Sequence, residues 1–574
     1  MRKSSLCTTL VILTFSRPCS ANFEQCLATI NTMTIDGKTD NHGHPLPSTT
    51  SNATAITYDL CVSQCGAGQE PFQWSVFSQQ FSSWLLPWLA LVSQLPFGAN
   101  DKLDNLESVL LTVGSPTLAT YSLSLTLLNG RWIAQLFSKH HYPNAQKAMR
   151  ILSSLQQSPL RVITEDALLA SLVVLPQNDE WWSELLVWLD YTYTWSIAAA
   201  ASIAWVIIAY VFTLLDYFSQ SLPTALNANG QGVGSIGSLW LWLLCIVVGW
   251  LQISPKCDSI RLEQAFARTN SLAYVATTYS EPCKAHLVTE KRAISIDLAE
   301  SDEARKDERS TPPIFNYARY LAWVEAVMIV SYAFERASDR MVRHEAVVPG
   351  SDWKERDLDE VTRKATLQDV QEYCSPRPSN DTPLVSRRAL DHSALSRMLI
   401  ASVVALVLQW ATTGSAIIIV WFTPTVGCRS ASFIAYGVLS TLIWLMLLTS
   451  SILTYHSTKS PVRIVKGHTI RPISSRLARC ISIFLRRTGK FLALLNSIWI
   501  VAVGLLQFGS FYDRCYCNSS VFGLGKEAYN VIIPTQGDIA SMRSSWIGGF
   551  CLAGGFAVCF IVFVNLYLDR PTSS

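Results

Sequence analysis

The feature that most constrains this chain is a set of long segments without charge. No Asp, Glu, Lys or Arg lies between Asp190 and Asp216, within Leu399–Cys428, or within Ala431–Ser457. A bilayer core about 30 Å thick needs roughly 20 apolar residues of helix to cross it. Charged residues make up 15% of the chain, against roughly 25% in soluble domains. The sequence therefore predicts an all-α polytopic membrane protein rather than a series of soluble domains.

Seven segments meet the length and charge requirements of a transmembrane helix. They are Ser108–Leu128, Trp195–Leu215, Gly237–Ile253, Met398–Phe422, Ala431–Tyr455, Phe491–Phe511 and Trp546–Leu568. Two further segments are ambiguous, because Trp84–Phe97 is short and contains proline, and Ile314–Phe334 contains Arg319 and Glu325. Burying either charge in lipid is costly. We therefore expect Ile314–Phe334 to be a helix of a soluble domain or of the membrane surface.

The distribution of Lys and Arg predicts the orientation, because cytoplasmic loops carry an excess of them. The loop His456–Arg487 carries eight and no acidic residue, and Asn129–Arg161 is also basic, whereas the loop Asp216–Ile236 has no Lys or Arg. With seven spans the N-terminus is outside and the C-terminus is cytoplasmic. Nine spans, using both ambiguous segments, keep these ends but put Asn129–Arg161 outside. The charge distribution favours seven.

The start of the chain is typical of a secretory protein. Basic Arg2 and Lys3, a short apolar centre and small residues up to Ala21 predict a signal peptide over residues 1–21. We expect an integral membrane protein of the secretory pathway, located in the plasma membrane. The predicted division is then an exoplasmic segment at 22–107, three spans within 108–253, a cytoplasmic insertion at 254–397, four spans within 398–568, and a cytoplasmic tail at 569–574. Composition leaves open whether the insertion is folded.

Six cysteines fall on the predicted exoplasmic side, an even number that suits an oxidising compartment. These candidate disulfide cysteines are Cys26, Cys61, Cys65, Cys428, Cys515 and Cys517. We expect Cys61 and Cys65 to pair with each other or with Cys26. Glycosylation sequences begin at Asn52 and Asn518 on the same side. A third begins at Asn380 on the cytoplasmic side, where we expect no modification.

The chain carries no motif for catalysis. Phosphate-binding loops, His-Glu-x-x-His and nucleophile elbows are absent from the sequence, so we expect a non-enzymatic protein without cofactor or metal. The net charge of +3 gives no reason to expect a nucleic-acid partner, and the expected partner is the lipid bilayer.

Polar residues inside the predicted spans form one candidate cluster, at Gln409, Thr412, Thr413 and Asn496. They either line a path or bond neighbouring helices, and helix–helix bonding is the more common use. No Asp, Glu, Lys, Arg or His lies inside the seven predicted spans. Proton-coupled transport usually needs such groups at membrane depth, so the sequence disfavours it.

Two functional hypotheses remain open. The first is a membrane protein with a sensing, scaffolding or surface role, which the absence of catalytic motifs favours. The second is a transporter or channel for a neutral or weakly charged solute, which the number of spans and the cluster around Gln409 favour.

Several stretches resemble a group of large fungal multi-pass membrane proteins. The stretches are Trp74–Gly98, Glu107–Asn129, Ser202–Tyr217, Asn316–Val327 and Asp513–Ser519. The functions of that group are uncharacterised, so the resemblance implies a membrane architecture and no activity or site residue. It also implies a cytoplasmic Ile314–Phe334 helix, because the similar segment is more polar in that group.

Overall fold

The computed structural model describes residues 22–95, 102–191, 195–219, 231–279, 281–296, 306–351, 363, 365–375, 392–422, 427–459, 463–465, 468–470 and 472–568. The predicted signal peptide, the predicted C-terminal tail and Asn380 lie outside these residues. Within them the chain is mostly helical, which confirms the predominantly α-helical fold expected from the sequence.

The helices are numbered here in chain order. Their bounds are α1 Phe23–Thr32, α2 Tyr58–Leu60, α3 Trp74–Gln80, α4 Leu86–Val92, α5 Lys102–Gly114, α6 Pro116–Phe137, α7 Ala145–Ser154, α8 Leu168–Val174, α9 Asp179–Leu189, α10 Ile197–Ser219, α11 Gln231–Ile253, α12 Ser259–Asn270, α13 Ala285–Val288, α14 Lys306–Ser310, α15 Tyr320–Val342, α16 Leu367–Tyr373, α17 His392–Trp421, α18 Gly427–Lys459, α19 Ile473–Phe508, α20 Cys515–Asn518, α21 Val521–Leu524 and α22 Gln536–Tyr567. Two π-helical segments, Cys61–Cys65 and Phe81–Leu85, follow α2 and join α3 to α4.

Short antiparallel strands form four small sheets in the described part of the chain. The strands are β1 Lys38–Thr39, β2 Ala55–Thr57, β3 Arg161–Val162, β4 Tyr274–Val275, β5 Cys283–Lys284, β6 Ile294–Ser295, β7 Arg463–Val465, β8 His468–Ile470 and β9 Tyr529–Val531. Their order is β1-β2-β9 in the largest sheet, and β3-β6, β4-β5 and β7-β8 in the others. The β2–β9 pairing is the longest-range one, because it joins the two ends of the sequence.

Four helices among the described residues are long and apolar enough to cross a membrane: α17, α18, α19 and α22. They contain most of the last four predicted spans, although α19 begins at Ile473 rather than Phe491 and ends at Phe508. Shorter apolar helical segments, Ile197–Phe212 and Gly237–Ile253, correspond to the second and third predicted spans. The long helices therefore match the hydrophobic runs, but extend beyond several of them into charged sequence.

The first predicted span, Ser108–Leu128, is wrong as a single helix. α5 ends at Gly114 and α6 begins at Pro116. Ser115 between them is extended, with φ −143° and ψ 80°, and its hydroxyl accepts a hydrogen bond from the backbone of Leu118. Ser as N-cap followed by Pro at the first helical position is a strong helix start. The new helix therefore begins inside the apolar run.

One end of the molecule, which we call the disulfide-bonded end, is formed by residues 22–70 and 509–535 with the start of α18. Disulfides Cys61–Cys515 and Cys428–Cys517 join these segments, and Cys26–Cys65 closes the first of them. The sheet β1-β2-β9 lies here too, with Ala55 opposite Val531. Within the segment 22–107, which the sequence predicts to be exoplasmic, Trp84 and Trp88 are buried in the bundle, against α11.

The opposite end carries a helical subdomain, built from residues 138–191 together with residues 254–279, 281–296, 306–351, 363 and 365–375. Strand β3 pairs with β6, Trp323 donates a 3.0 Å hydrogen bond to the carbonyl of Leu152, and Arg363 forms a 2.8 Å ion pair with Asp179. The predicted insertion 254–397 is therefore folded where the structure describes it. It does not pack alone, because the loop before α10 shares its core.

The ambiguous Ile314–Phe334 segment belongs to this subdomain. It contributes α15, which packs on α8 and α16. Arg319 is buried before α15, and its guanidinium donates to the carbonyls of Glu308, Thr311, Pro312 and Phe315. Glu325 forms an ion pair with Lys459 at the end of α18. The two charges thus have polar partners, as expected for a helix outside lipid.

Helices α18 and α19 form an antiparallel pair that connects the two ends. α18 has 33 residues and is therefore about 50 Å long. Ser450 contacts Ser482, and Ser475 donates to the carbonyl of Ser457. The two serine pairs are seven residues apart on each helix. Such small residues let helix backbones approach closely.

Helix α6 occupies the centre of the bundle. Every residue from Ser115 to Asn129 is buried, and α6 contacts α11, α17, α18 and α22. A helix buried on all sides has no face left for lipid. This hydroxyl-rich part of α6 therefore lies in the interior of the bundle.

Candidate functional site

The candidate site is the break between α5 and α6, which we call the tip and define as Gly114, Ser115 and Pro116. Gly114 lies so close to α19 that a Cβ atom there would overlap the carbonyl oxygen of Ala493. A glycine is needed at such a close approach between backbones. The tip is therefore packed into the protein rather than exposed to lipid.

Both helices that meet at the tip lead away from it toward the subdomain end. In α5, Glu107 pairs with Lys490 at 2.5 Å, and Gly114 accepts a 2.7 Å hydrogen bond from Asn496. Because α19 starts at the subdomain end, the six residues from Lys490 to Asn496 place the tip about 9 Å farther from that end. α5 thus runs from the subdomain end toward the middle of the bundle.

Helix α6 then returns in the opposite direction. Its first turn lies beside α18, where the Thr117 hydroxyl is 3.1 Å from that of Ser440. Its residue Asn129 accepts a 3.0 Å hydrogen bond from Arg397, near the start of α17 at the subdomain end. Twelve residues of helix separate Thr117 from Asn129, which corresponds to about 18 Å. α5 and α6 therefore form a helical hairpin that enters the bundle and leaves it on the same side.

The predicted polar cluster lies around this tip. Gln409 donates a 2.6 Å hydrogen bond to Thr413 and accepts a 3.5 Å bond from Ser440. Ser440 in turn accepts from Ser115, through its backbone carbonyl at 2.9 Å. Thr412 is not part of this network, because its hydroxyl bonds the carbonyls of its own helix.

Asn496 reaches the same tip from α19. Its side-chain amide donates to the carbonyls of Gly114 and Tyr436, at 2.7 Å and 3.2 Å. The hydroxyl of Tyr436 donates to the carbonyl of Val113 at 2.8 Å. The last carbonyls of α5 would otherwise be unpaired at the helix end. Side chains of α18 and α19 therefore hold the hairpin tip in place.

Sequence reasoning missed four members of this network: Ser115, Thr117, Tyr436 and Ser440. The Gly114-Ser115-Pro116 triplet was the available signal, because such punctuation inside an apolar run marks a helix boundary. The contacts of Ser440 and Tyr436 depend on how three helices pack. They leave no mark in the local sequence.

Polar groups continue along α6 from the tip toward the subdomain. The hydroxyls of Ser122 and Ser124 are buried and have no hydrogen-bond partner among the described residues. Farther along, Thr126 accepts bonds from Asn316 and Gln157 at 3.0 Å and 3.1 Å. Thr126 also lines a cavity of about 190 Å³ near the ends of α11 and α22. Buried polar groups usually have protein or water partners, and the cavity beside Thr126 has room for water.

Charge lies closer to the hairpin than the sequence predicted. The predicted spans began at Ser108 and Phe491, which left Glu107 and Lys490 just outside them. The structure places both inside helices, as an ion pair on one side of α5. The two charges compensate each other, so they supply no lone titratable group beside the tip.

The cysteine pairing corrects part of the sequence expectation. Cys65 pairs with Cys26, one of the two expected partners, but Cys61 pairs with Cys515. Of the two glycosylation residues, Asn52 is exposed and Asn518 is half-buried beside Cys517. Three of the free cysteines, Cys257, Cys283 and Cys374, lie in the helical subdomain.

A carboxyl group at the disulfide-bonded end has a shifted pKa. Glu70 is half-buried, and its backbone N–H donates to the carbonyl of Asp513 at 2.9 Å. Burial raises the pKa of Glu70 to about 7, and the negative charges of Asp513 and Glu24 add to this effect, while Arg429 opposes it. Glu70 therefore changes its charge near neutral pH.

Comparison of the chain with protein-family models, with curated proteins and with solved structures finds no match. In the described part of the chain, no group of three or more His, Cys, Asp or Glu side chains is arranged to hold a metal ion. The functional interpretation therefore depends on the geometry of the hairpin and of the network around its tip.

Proposed function

We propose that this chain is an integral membrane protein that moves a small neutral or weakly charged polar solute, with the hairpin tip as its selective element. The observation that supports this most is a helix broken in the middle of the bundle, at a network of amide, hydroxyl and carbonyl groups. Interrupted helices are tolerated at membrane depth only where protein or a water-filled path surrounds them. In transporters, such breaks present backbone groups and helix ends to the solute.

The neutral character of the network supports the proposed solute class. The network offers hydrogen-bond donors and acceptors but no net charge, through Ser115, Thr117, Gln409, Ser440 and Asn496. Such groups suit a solute that is itself rich in hydroxyl or amide groups, because each lost water contact is replaced. We carry forward the expectation that the chain is not an enzyme. A sensing, scaffolding or surface role remains the competing hypothesis.

We also propose seven membrane crossings, but with a different first member. The continuous helix Trp74–Val92 is about 28 Å long and replaces Ser108–Leu128, which becomes the re-entrant hairpin. The other six crossings are α10, α11, α17, α18, α19 and α22. The ion pair between Asp179 and Arg363 supports seven rather than nine, because nine spans would place these residues on opposite sides of the membrane.

The proposed orientation puts the disulfide-bonded end outside and the helical subdomain in the cytoplasm. The three disulfides lie at one end and the free Cys257, Cys283 and Cys374 at the other. This separation suits an oxidising exterior and a reducing cytosol. The basic loop after α18 then faces the cytoplasm, as expected for loops rich in Lys and Arg. We further propose that the protein lies in the plasma membrane, that its signal peptide is cleaved, and that Asn52 and Asn518 are glycosylated. We also propose that it belongs to the fungal group that it resembles.

Osmotic swelling of proteoliposomes tests the transport proposal. Purified protein is reconstituted and challenged with urea, glycerol and erythritol as neutral probes, beside empty liposomes. We expect faster swelling with at least one probe, and a change of several-fold in that rate for Ser440→Ala at the tip. Ser450→Ala is the matched control, because Ser450 lies on the same helix and bonds Ser482 away from the tip. Wild-type rates equal to those of empty liposomes for all three probes would favour a sensing, scaffolding or surface role instead.

A further inference from the structure

A second cavity, of about 410 Å³, lies at the subdomain end between α15 and α18. One wall is apolar and comes from α15, with Leu321, Ala326 and Ile329. The other wall is polar and comes from the last turns of α18, with Thr454 and Thr458. Binding sites for small molecules usually have this size and combine apolar walls with a few polar groups. The cavity is separate from the hairpin tip and from its network.

Four charged side chains line this cavity, two of each sign: Arg161, Lys459, Glu308 and Glu325. Lys459 and Glu325 form an ion pair with each other. Arg161, on strand β3, is half-buried. Its guanidinium makes no hydrogen bond or ion pair with the residues that the structure describes, and its nearest electrostatic neighbours include the exposed Glu165. An amphipathic ligand with one anionic and one cationic group would match this lining.

The position of the cavity along α18 indicates where such a ligand comes from. α18 starts at the disulfide-bonded end, where Cys428 pairs with Cys517. Roughly 20 residues cross the apolar core of a bilayer, so the cavity-lining residues from Ser451 to Lys459 lie at the depth of the cytoplasmic headgroups. This step depends on the membrane placement proposed above, but not on solute movement.

We propose that this cavity binds the headgroup of a zwitterionic phospholipid from the cytoplasmic leaflet. The phosphate contacts Arg161, and the ammonium group contacts the carboxylates of Glu325 and Glu308. The acyl chains leave along the apolar wall of α15. Anionic headgroups without an ammonium fit less well, because the lining carries as many negative as positive side chains, so the added negative charge has no matching positive charge. Guanidinium groups are well suited to phosphate.

Native mass spectrometry of the purified full chain tests the proposal. The protein is titrated separately with phosphatidylethanolamine, phosphatidylglycerol and soluble phosphoethanolamine. We expect retention of phosphatidylethanolamine, weaker retention of phosphatidylglycerol, and little binding of phosphoethanolamine, which lacks the chains. Arg161→Gln should weaken the binding of phosphatidylethanolamine about tenfold. Arg150→Gln, an exposed cation of α7 outside the cavity, is the matched control and should have no effect.

A second variant keeps the proposal testable if Arg161→Gln folds poorly. Glu325→Gln should reduce the preference for phosphatidylethanolamine over phosphatidylglycerol, since the partner of the ammonium group is lost. The proposal is overturned if phosphatidylglycerol binds as tightly as phosphatidylethanolamine, or if Arg161→Gln and Arg150→Gln behave alike. Tight binding of phosphoethanolamine would identify a soluble phosphorylated amine as the ligand and would overturn the lipid assignment.

Discussion

At the scale of single residues, burial decides how polar groups behave in this molecule. Lys38 is almost fully buried at the disulfide-bonded end, but its ammonium group donates to three carbonyls, those of Met33, Ser48 and Thr50. Asn496 uses the same principle in the bundle, where it donates to two carbonyls. A buried donor or acceptor left without a partner costs roughly 1–3 kcal/mol. These residues therefore fix the position of the backbone around them.

Glu70 leads to a pH-dependent prediction. Its folded-state pKa of about 7 lies above the ordinary value of 4.5, so the folded chain binds the proton more tightly than the unfolded chain. The stabilisation is therefore complete below pH 4.5 and is lost as the pH rises through about 7.

The variant Glu70→Gln removes the charged form. We expect a higher melting temperature at pH 8, corresponding to a gain in the free energy of unfolding on the order of 1 kcal/mol because Glu70 is partly exposed, and almost no change at pH 5. Thermal unfolding of the purified protein at both pH values measures this. Glu527→Gln, an exposed carboxyl at the same end, is the control. A gain of equal size at both pH values would show that the charge of Glu70 is not its cause.

At the scale of elements, the hairpin depends on the close contact between its tip and α19. Gly114→Ala places a methyl group against the carbonyl of Ala493, and overpacking of this kind usually costs about 1–3 kcal/mol. We expect a clear loss of thermal stability in detergent. Gly504→Ala on α19 is the control, because nothing lies within 4 Å of a Cβ atom there. Equal melting temperatures for the two variants would contradict the packing described for the tip.

The elements also show what the sequence can predict. α17, α18 and α22 begin and end close to the expected segments or contain them, because the length of an uncharged apolar run is a local property. The break before α6 was missed because hydrophobicity continues across it, and only Gly114 and Pro116 mark it. The contact between Gln409 and the tip was missed for another reason. It passes through Ser440 on a third helix, and such packing is not encoded locally.

At the scale of the whole molecule, two kinds of connection join segments that are far apart in the sequence. Cys61 and Cys515 are 454 positions apart, and the helical subdomain joins segments on both sides of α10 and α11. The sequence predicted six cysteines as candidates for disulfides, and all six form disulfides in the structure. Six cysteines allow 15 pairings, however, and choosing among them required the positions of the three segments in space.

The Cys61–Cys515 disulfide predicts how cleaved protein behaves on a gel. A protease site introduced between residues 376 and 391 divides the chain into two fragments, and this disulfide alone among the three links them. We expect the fragments to migrate together without reductant and separately with it. In Cys515→Ser they should separate under both conditions. Fragments of the unaltered chain that separate without reductant would show that the disulfide is absent.

The central claim is that α5 and α6 form a re-entrant hairpin with both ends on the cytoplasmic side. A membrane-impermeant maleimide applied to sealed inside-out and right-side-out vesicles tests it most directly. The probes are Lys102→Cys at the start of α5 and Gln135→Cys near the end of α6, each in a background whose free cysteines are replaced. We predict labelling of both positions from the cytoplasmic side only. Labelling of Lys102→Cys from the outside, with Gln135→Cys labelled from the cytoplasm, would mean that this segment crosses the membrane, and the account would be wrong.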